Sequence, residues 1–366
     1  MEVKDLSIQE KIGQMIMIGM DTNYITDRIR TMITKYKIGG IILYRKNFNT
    51  YQKMLELIQQ LKELNKENKI PLFIAIDQEG GRVNRMPQEI ENLPSANTIA
   101  MQGDDELVKK SAQLTGELLK KSGFNLNFAP VLDIKNFSNE HAIGDRCFGN
   151  DKNTDSKYGI IAMKALQEQG VISVIKHFPG HGATTKDSHY FLPIINKKVK
   201  ALEKEDMYPF EQAIKNDADC LLVGHLLIRN LTGLYPASLS RKFISRYIRK
   251  KYKFKGVIFT DDLKMRAIKF LYGPTNAVVK AFKAGNDIIM FRFDKDEEKK
   301  AIEKVLKLVQ SGKIKESRLN HSVKRILTLK EKYNVSDEMP KENIDIEIFN
   351  SEILKIKEQC KKTSEF

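Results

Sequence analysis

The sequence predicts an α/β fold: a single (β/α)8 barrel of the TIM type with a short helical extension at its C terminus. Eight short apolar segments recur along the 366 residues, amphipathic patterns separate them, and polar residues follow their ends. Strands that alternate with helices pair in parallel, and a count of eight favours a closed barrel over an open sheet. We assign 1–334 to the barrel and 335–366 to a polar, helical tail that packs on it or trails from it.

The strands are predicted from apolar runs that are typical of strands buried on both faces of a parallel sheet. Their predicted ranges are 13–20, 40–44, 72–77, 124–130, 173–177, 220–224, 256–261 and 287–291. The helices between them are predicted from apolar residues spaced three and four apart, which share one helix face. The predicted helical segments include 54–64, 107–118 with Gly123 as its end, 301–310 and 317–332.

Polar residues mark the carboxyl end of every predicted strand. They are Asp21, Tyr44, Arg45, Asp77, Asp133, Lys176, His177, His225, Asp261 and Arg292. The carboxyl ends of the strands form the catalytic face of a β/α barrel, so these side chains would converge on one pocket. One polar strand end carries little weight, whereas eight in register predict a functional site.

The composition is that of a folded, basic protein. Hydrophobic residues make up 41%, and 62 Lys and Arg against 47 Asp and Glu give a net charge of +15. Such a charge can attract nucleic acid, an anionic cell-wall polymer or a membrane surface. The basic residues are spread along the chain and no nucleic-acid-binding motif is present, so we expect no nucleic-acid partner.

The cysteines and the first residues bear on the compartment. Cys147, Cys220 and Cys360 have neither metal-binding spacing nor the even count of a disulfide framework. No signal peptide is visible, and no apolar run is long enough to span a membrane. We expect a cytoplasmic monomer, although an exported protein with a trimmed signal would have the same sequence.

The most informative segment follows the fifth predicted strand. Residues 176–182 read KHFPGHG and 187–189 read DSH, which places three of the six histidines beside a lysine and an aspartate. Proline removes a backbone donor and glycine weakens helix and strand, so a loop is predicted. One such histidine is most simply a packed side chain, but this cluster directly after a strand predicts an active site.

Four motifs occur in order: DQEGGRVNR at 77–85, KHFPGHG at 176–182, DSH at 187–189 and TDDLKM at 260–265. Together they resemble glycoside hydrolase family 3, and specifically its bacterial β-N-acetylglucosaminidase branch. Weaker family resemblances are GGIIL at 39–43, FAPVLD at 128–133 and PASLS at 236–240. The resemblance extends from about residue 8 to residue 330.

The resemblance implies that Asp261 is the nucleophile. Its carboxylate is expected at the top of a strand, where a retaining glycosidase needs a group that attacks the anomeric carbon and holds a covalent glycosyl intermediate. Asp262 is the competing candidate. Adjacent side chains of a strand point in opposite directions, and a helix N-cap is the simpler role for Asp262.

The resemblance also implies an acid/base, His189, paired with Asp187 on a mobile loop. Imidazole titrates near neutral pH, so it can protonate the leaving oxygen and then take a proton from water. The paired carboxylate would fix the imidazole tautomer and stabilise its protonated form. The glycines at 180 and 182 are expected to let the loop close over substrate.

The residues implied to bind the sugar are Asp77, Arg85, Arg146, Lys176 and His177. Such donors and acceptors position a saccharide and strengthen their hold as the transition state develops. Arg82 and Asp145 are more simply a structural ion pair. Glu79 is a candidate general acid, because glutamate often has that role, but the resemblance implies that its family counterpart is structural. We expect no cofactor. We also expect no metal, because Pro179 and Gly180 lie between the histidines, whereas the histidines of a zinc-binding helix are regularly spaced.

The sequence thus predicts a retaining exo-β-N-acetylglucosaminidase for β-linked N-acetylglucosaminides, such as peptidoglycan-derived muropeptides or chito-oligosaccharides. Three alternatives stay open. A histidine does not repel anions as a carboxylate does, so phosphate could replace water and make the enzyme a phosphorylase. A non-catalytic saccharide-binding protein of the cell wall would exploit the +15 charge. A β-glucosidase would share the barrel but not the histidine motif.

Overall fold

The computed structural model describes residues 2–134, 143–183, 192–293 and 296–362. Within these ranges the parallel strands are β1 Ile16–Gly19, β2 Gly40–Leu43, β3 Phe73–Ile76, β4 Leu126–Asn127, β5 Ile172–Phe178, β6 Cys220–Val223, β7 Val257–Thr260 and β8 Ile289–Phe291. Almost every residue in them is buried, which explains their apolar sequences.

The sheet closes into a barrel. Its strand order is β7-β6-β5-β4-β3-β2-β1-β8, so the two ends of the sheet are β7 and β8. At this seam the carbonyl of Ile258 accepts hydrogen bonds from the backbone N–H groups of Asp287 (2.8 Å) and Ile288 (3.0 Å). The N–H of Thr260 donates to the carbonyl of Ile288 (3.0 Å). The predicted (β/α)8 barrel is confirmed.

Helices surround the sheet and lie between its strands. They are α1 Ile8–Gln14, α2 Asp27–Thr34, α3 Tyr51–Asn65, α4 Ala96–Ala100, α5 Asp105–Lys121, α6 Lys152–Glu168, α7 Val199–Lys204, α8 Tyr208–Lys215, α9 Arg229–Thr232, a π-helix at Lys242–Lys251, α10 Arg266–Tyr272, α11 Pro274–Ala284, α12 Asp296–Gln310, α13 Glu316–Lys332 and α14 Ile346–Lys362. In the part of the chain that the structure describes, no helix is long and apolar enough to cross a membrane.

All strands except β5 are shorter than predicted, and the first and the fourth differ most from their predicted ranges. The first two residues of the predicted range 13–20 end α1 instead, a helix that begins with a capping box between Ser7 and Glu10. The fourth strand pairs over two residues only. Beside it the Asn125 side chain replaces ladder bonds: its oxygen accepts the N–H of Ile74 (3.0 Å) and its amide donates to the carbonyl of Leu72 (2.9 Å).

The described part of the tail packs on the barrel. Helix α14 lies against α5 and buries Ile353 and Ile356. Before it, the Asp337 carboxylate accepts hydrogen bonds from the side chain of Asn65 (2.7 Å) and from the backbone N–H of Leu72 (3.0 Å). These contacts lie where β3 begins, at the end of the barrel opposite the carboxyl ends of the strands.

Candidate active site

The carboxyl ends of all eight strands line one cleft. It contains about 1250 Å³ of empty space, including its open mouth, which is enough for a ligand of sugar size. The floor is apolar and includes Phe128, Leu222 and Phe291. The polar lining consists of Tyr44, Asp77, Glu79, Arg85, Arg146, Lys176, His177, His181, Asp261, Asp262 and Arg292. The cleft therefore combines an apolar base with a charged wall.

The loop after β3 is held in place by β4. The backbone N–H of Gln78 donates to the side-chain oxygen of Asn127 (3.0 Å), whose amide donates back to the Gln78 carbonyl (2.9 Å). The Gln78 side chain accepts the backbone N–H of Arg85 (2.8 Å). These hydrogen bonds hold both ends of residues 77–85, and Asp77, Glu79 and Arg85 of this loop line the cleft.

A network of four charged residues forms one wall. The carboxylate of Glu79 accepts two hydrogen bonds from Arg146 (both 2.8 Å) and lies 2.5 Å from the Lys176 ammonium. The same ammonium donates to Asp77 (2.7 Å). Burial alone would raise the pKa of Glu79, but the Arg146 and Lys176 charges hold it well below its ordinary value. Glu79 is therefore an anion that orients two cations toward the cleft.

A second buried carboxylate supports the loop after β5. Asp133 accepts a hydrogen bond from Nδ1 of His177 (2.7 Å) and another from the backbone N–H of His181 (2.6 Å). Burial would raise the pKa of Asp133, yet these two histidines hold it below its ordinary value. Burial lowers the pKa of His181 itself. Asp133 is thus an anionic acceptor beneath the ring of His177.

Asp261 and Asp262 both line the cleft at the end of β7. The backbone N–H of Asp261 donates to the carbonyl of Val223 (3.0 Å), and its carboxylate accepts the N–H of Asp262 (2.8 Å). Burial, together with the adjacent Asp261 charge, raises the pKa of Asp262 to about 6. Behind the pair, His225 donates from Nε2 to the carbonyl of Asp262 (3.1 Å).

The prediction that Asp262 is a helix N-cap is wrong. Its carboxylate accepts the N–H of Lys264 (2.8 Å), but α10 begins only at Arg266 and has no side-chain cap. Asp262 therefore stabilises a turn. The expected alternation of the two carboxylates also fails, because β7 ends at Thr260 and the chain beyond it is no longer extended strand.

At the rim, Arg292 joins the first and last strands. Its guanidinium lies 5.0 Å from the centre of the Tyr44 ring and 3.0 Å from the Asp21 carboxylate, which also accepts a hydrogen bond from Lys46 (2.8 Å). Burial raises the pKa of Tyr44 well above its ordinary value, so its hydroxyl is neutral. These contacts leave Asp21 outside the cleft itself.

Six predicted site residues come together in the cleft: Asp77, Arg85, Arg146, Lys176, His177 and Asp261. The predicted acid/base pair, Asp187 and His189, lies outside the described residues. Arg82 and Asp145 form the expected ion pair (3.1 Å). Among the residues that the structure describes, no cluster of three metal-ligating side chains occurs.

Sequence reasoning missed two residues of this site. For Glu79 the sequence predicts only a structural role, and for Asp133 only a position at a strand end. A signal was present for both, because each carboxylate follows a buried strand and so needs a buried cationic or N–H partner. What the sequence did not identify was the partner, which lies 67 residues away for Glu79 and 44 for Asp133.

Replacing Asp262 with Asn is expected to change how stability depends on pH. The folded protein binds the Asp262 proton more tightly than the unfolded chain, so the contribution of Asp262 to the stability of the wild type falls as pH rises from about 4 to 6. The substituted asparagine keeps an oxygen for the Lys264 N–H and does not titrate. The variant should therefore gain about 1–3 kcal/mol relative to wild type across this range. Urea unfolding at several pH values measures the difference, with the exposed Asp217→Asn as control; parallel curves for wild type and Asp262→Asn would contradict it.

Comparison with known proteins gives one consistent family. A model of the "Glycosyl hydrolase family 3 N terminal domain" matches residues 7–329. Beta-hexosaminidase A of Pseudoalteromonas piscicida is 30% identical over 345 residues, which are 87% of this chain but 56% of the relative. Beta-hexosaminidase LpqI of Mycobacterium tuberculosis is 30% identical over 334 residues, 89% of this chain and 83% of the relative.

Solved structures agree. The structure of a glycoside hydrolase family 3 β-N-acetylglucosaminidase from Paenibacillus sp. str. FPU-7 superimposes with a TM-score of 0.91 at 32% identity, covering 97% of this chain and 69% of that one. The structure of M. tuberculosis LpqI gives a TM-score of 0.81 at 30% identity, covering 89% and 94%. The similarity thus extends through almost the whole chain.

Proposed function

This chain belongs to glycoside hydrolase family 3, and from that membership we propose that it is a retaining exo-β-N-acetylglucosaminidase. The membership confirms the motif resemblance and the prediction of a glycoside hydrolase. The observation that carries the finer proposal is the cleft itself, which is lined by a carboxylate at the end of β7 and by the charged network of Asp77, Glu79, Arg146 and Lys176. Relatives named β-hexosaminidase and β-N-acetylglucosaminidase support the choice of sugar.

The proposed nucleophile is Asp261. Its carboxylate attacks the anomeric carbon as the bond to the leaving oxygen breaks, forming a glycosyl ester; water then cleaves this ester, so configuration is retained overall. Two features support Asp261 over Asp262. The motif assigns the role to the first aspartate, and the raised pKa of Asp262, about 6, leaves a fraction of Asp262 protonated at mildly acidic pH.

The proposed acid/base is His189, oriented by Asp187. In the first step the imidazolium protonates the leaving oxygen, and in the second the neutral imidazole takes a proton from water. The proposal rests on the DSH motif at 187–189 and on the chemistry of imidazole. It follows in sequence from the KHFPGHG segment, whose histidines at 177 and 181 line the cleft.

The proposed sugar contacts are Asp77, Arg85, Arg146, Lys176 and His177. Asp77 accepts from ring hydroxyls, and the cations donate to sugar oxygens. The bidentate Glu79–Arg146 pair supports this assignment, because a guanidinium held by two 2.8 Å hydrogen bonds is pre-organised for its ligand. The natural substrates would be muropeptides or chito-oligosaccharides, cleaved without a cofactor.

Hydrolysis of p-nitrophenyl N-acetyl-β-glucosaminide, followed by proton NMR of the sugar first released, tests this proposal. We expect β-configured N-acetylglucosamine as the initial product and little turnover of the matching glucoside. An initial α-product would contradict a retaining mechanism, and preferential cleavage of the glucoside would contradict the sugar assignment. A parallel reaction with added phosphate should give no sugar phosphate; formation of one would identify a phosphorylase instead.

A further inference from the structure

Asp133 contacts the site from below without lining the cleft. Its side chain is completely buried, and the segment before it runs beside β5: the N–H of Leu132 donates to the carbonyl of Lys176 (2.7 Å), and the N–H of Lys176 donates to the carbonyl of Pro130 (3.2 Å). Backbone hydrogen bonds therefore place the carboxylate beside the end of β5 and the start of the loop that follows it.

Every described hydrogen bond to this carboxylate comes from His177 near the end of β5 or from His181 in the loop after it. One oxygen accepts from Nδ1 of His177 (2.7 Å) and the other from the backbone N–H of His181 (2.6 Å), while the backbone N–H of His177 lies 3.3 Å from both. A buried ionised carboxylate only accepts hydrogen bonds. The proton between Asp133 and His177 must therefore reside on Nδ1.

This fixes the chemistry of the other ring nitrogen. When Nδ1 of a neutral imidazole carries the proton, Nε2 has a free lone pair and accepts hydrogen bonds. The His177 side chain is only 13% exposed, and that exposed part lines the cleft. A carboxylate behind a functional imidazole sets ring orientation and tautomer in many enzymes and metal sites.

We propose that Asp133 is a positioning residue that holds His177 as the Nδ1–H tautomer, so that Nε2 accepts a hydrogen bond from a hydroxyl of the bound sugar. The second half of this inference rests on the proposed function. The surrounding wall is rich in donors, Lys176 and Arg146, so an acceptor here complements them against a hydroxyl, which both donates and accepts.

The isosteric substitution Asp133→Asn separates this role from a purely structural one. The asparagine side chain has one oxygen and one NH2 group, so only one of the two donors, His177 Nδ1–H or the backbone N–H of His181, can keep its acceptor. If the oxygen stays with the backbone N–H of His181, the amide faces His177 and drives the proton from Nδ1 to Nε2. The loop stays supported while the tautomer changes.

Nitrogen NMR of the full chain labelled with 15N-histidine reads the tautomer directly. The chain has six histidines, and His177→Gln assigns the signal. His225 is an internal reference of the opposite tautomer, because its Nε2 faces a carbonyl and its Nδ1 faces the Ser238 hydroxyl. Asp155→Asn is the control, since it makes the same substitution at another buried carboxyl group, which accepts from the backbone N–H of Phe148 and not from a histidine.

We expect the His177 signal to show Nδ1–H in wild type and in Asp155→Asn, and Nε2–H or a mixture in Asp133→Asn. Adding N-acetylglucosamine should shift the His177 Nε2 resonance in wild type, and Asp133→Asn should lower kcat/KM by about 10–100-fold. An unchanged His177 tautomer in Asp133→Asn, or Nε2–H in wild type, would overturn the positioning role.

The two halves of the inference fail separately. If the tautomer responds as expected while N-acetylglucosamine leaves Nε2 unmoved and wild type still hydrolyses N-acetylglucosaminides, the sugar contact of His177 is overturned. If wild type cleaves no glycoside at all, the proposed function fails, whereas the tautomer result still decides the role of Asp133.

Discussion

Asp261→Asn is expected to lower kcat/KM for p-nitrophenyl N-acetyl-β-glucosaminide by about 10³–10⁵-fold. The amide of asparagine is a poor nucleophile and forms no stable glycosyl ester. The fold should survive, because the Asn oxygen can still accept the N–H of Asp262, and the backbone contact to Val223 is unchanged. Steady-state kinetics and the thermal unfolding midpoint are measured together.

The adjacent Asp262→Asn is the matched control, since it removes one charge from the same turn without removing the proposed nucleophile. It should lose far less activity.

A second experiment uses Asp261→Ala with azide, a small anion that can attack the anomeric carbon from the side where the Asp261 carboxylate was. Release of nitrophenol should recover, with an α-glycosyl azide as product. Comparable losses in the two Asn variants, or no azide product, would count against Asp261 as the nucleophile.

Glu79→Gln is expected to destabilise the protein and weaken sugar binding together. Removing the charge leaves two buried cations, Arg146 and Lys176, with one remaining carboxylate, Asp77. Breaking a buried ion pair in this way costs about 3–5 kcal/mol, because an uncompensated charge remains inside. The freed cations should also lose their orientation, so KM should rise at least tenfold.

Urea unfolding and kinetics at saturating and limiting substrate measure both effects. Asp145→Asn is the control, because the Arg82–Asp145 pair belongs to neighbouring loops but is about 40% exposed and should contribute less than about 1 kcal/mol. Equal stability of the two variants would show that the buried network does not hold the wall together. Lost stability with an unchanged KM would confine Glu79 to a structural role.

Much of the barrel was predictable, for a local reason. A strand buried on both faces must be apolar along its length, and a helix packed on one side must repeat its apolar residues at helical spacing. Those requirements act within a few residues, so the strands and the helices α3, α5, α12 and α13 could be predicted from short windows. One exception is also local: α1, which begins with a capping box between Ser7 and Glu10, includes the first two residues of the first predicted strand.

In the candidate site, too, some features follow from local sequence and others depend on long-range contacts. The sequence by itself determined the family motifs and most of the charged residues that line the cleft, because the carboxyl ends of the strands of a β/α barrel meet at one face. Only the tertiary structure decided what each of them does there. Glu79 binds and orients Arg146, and Asp133 supports His177, through contacts between residues that are far apart in the chain. A buried charge is tolerated only where a partner compensates it, and the packing of the folded barrel determines which residue is that partner.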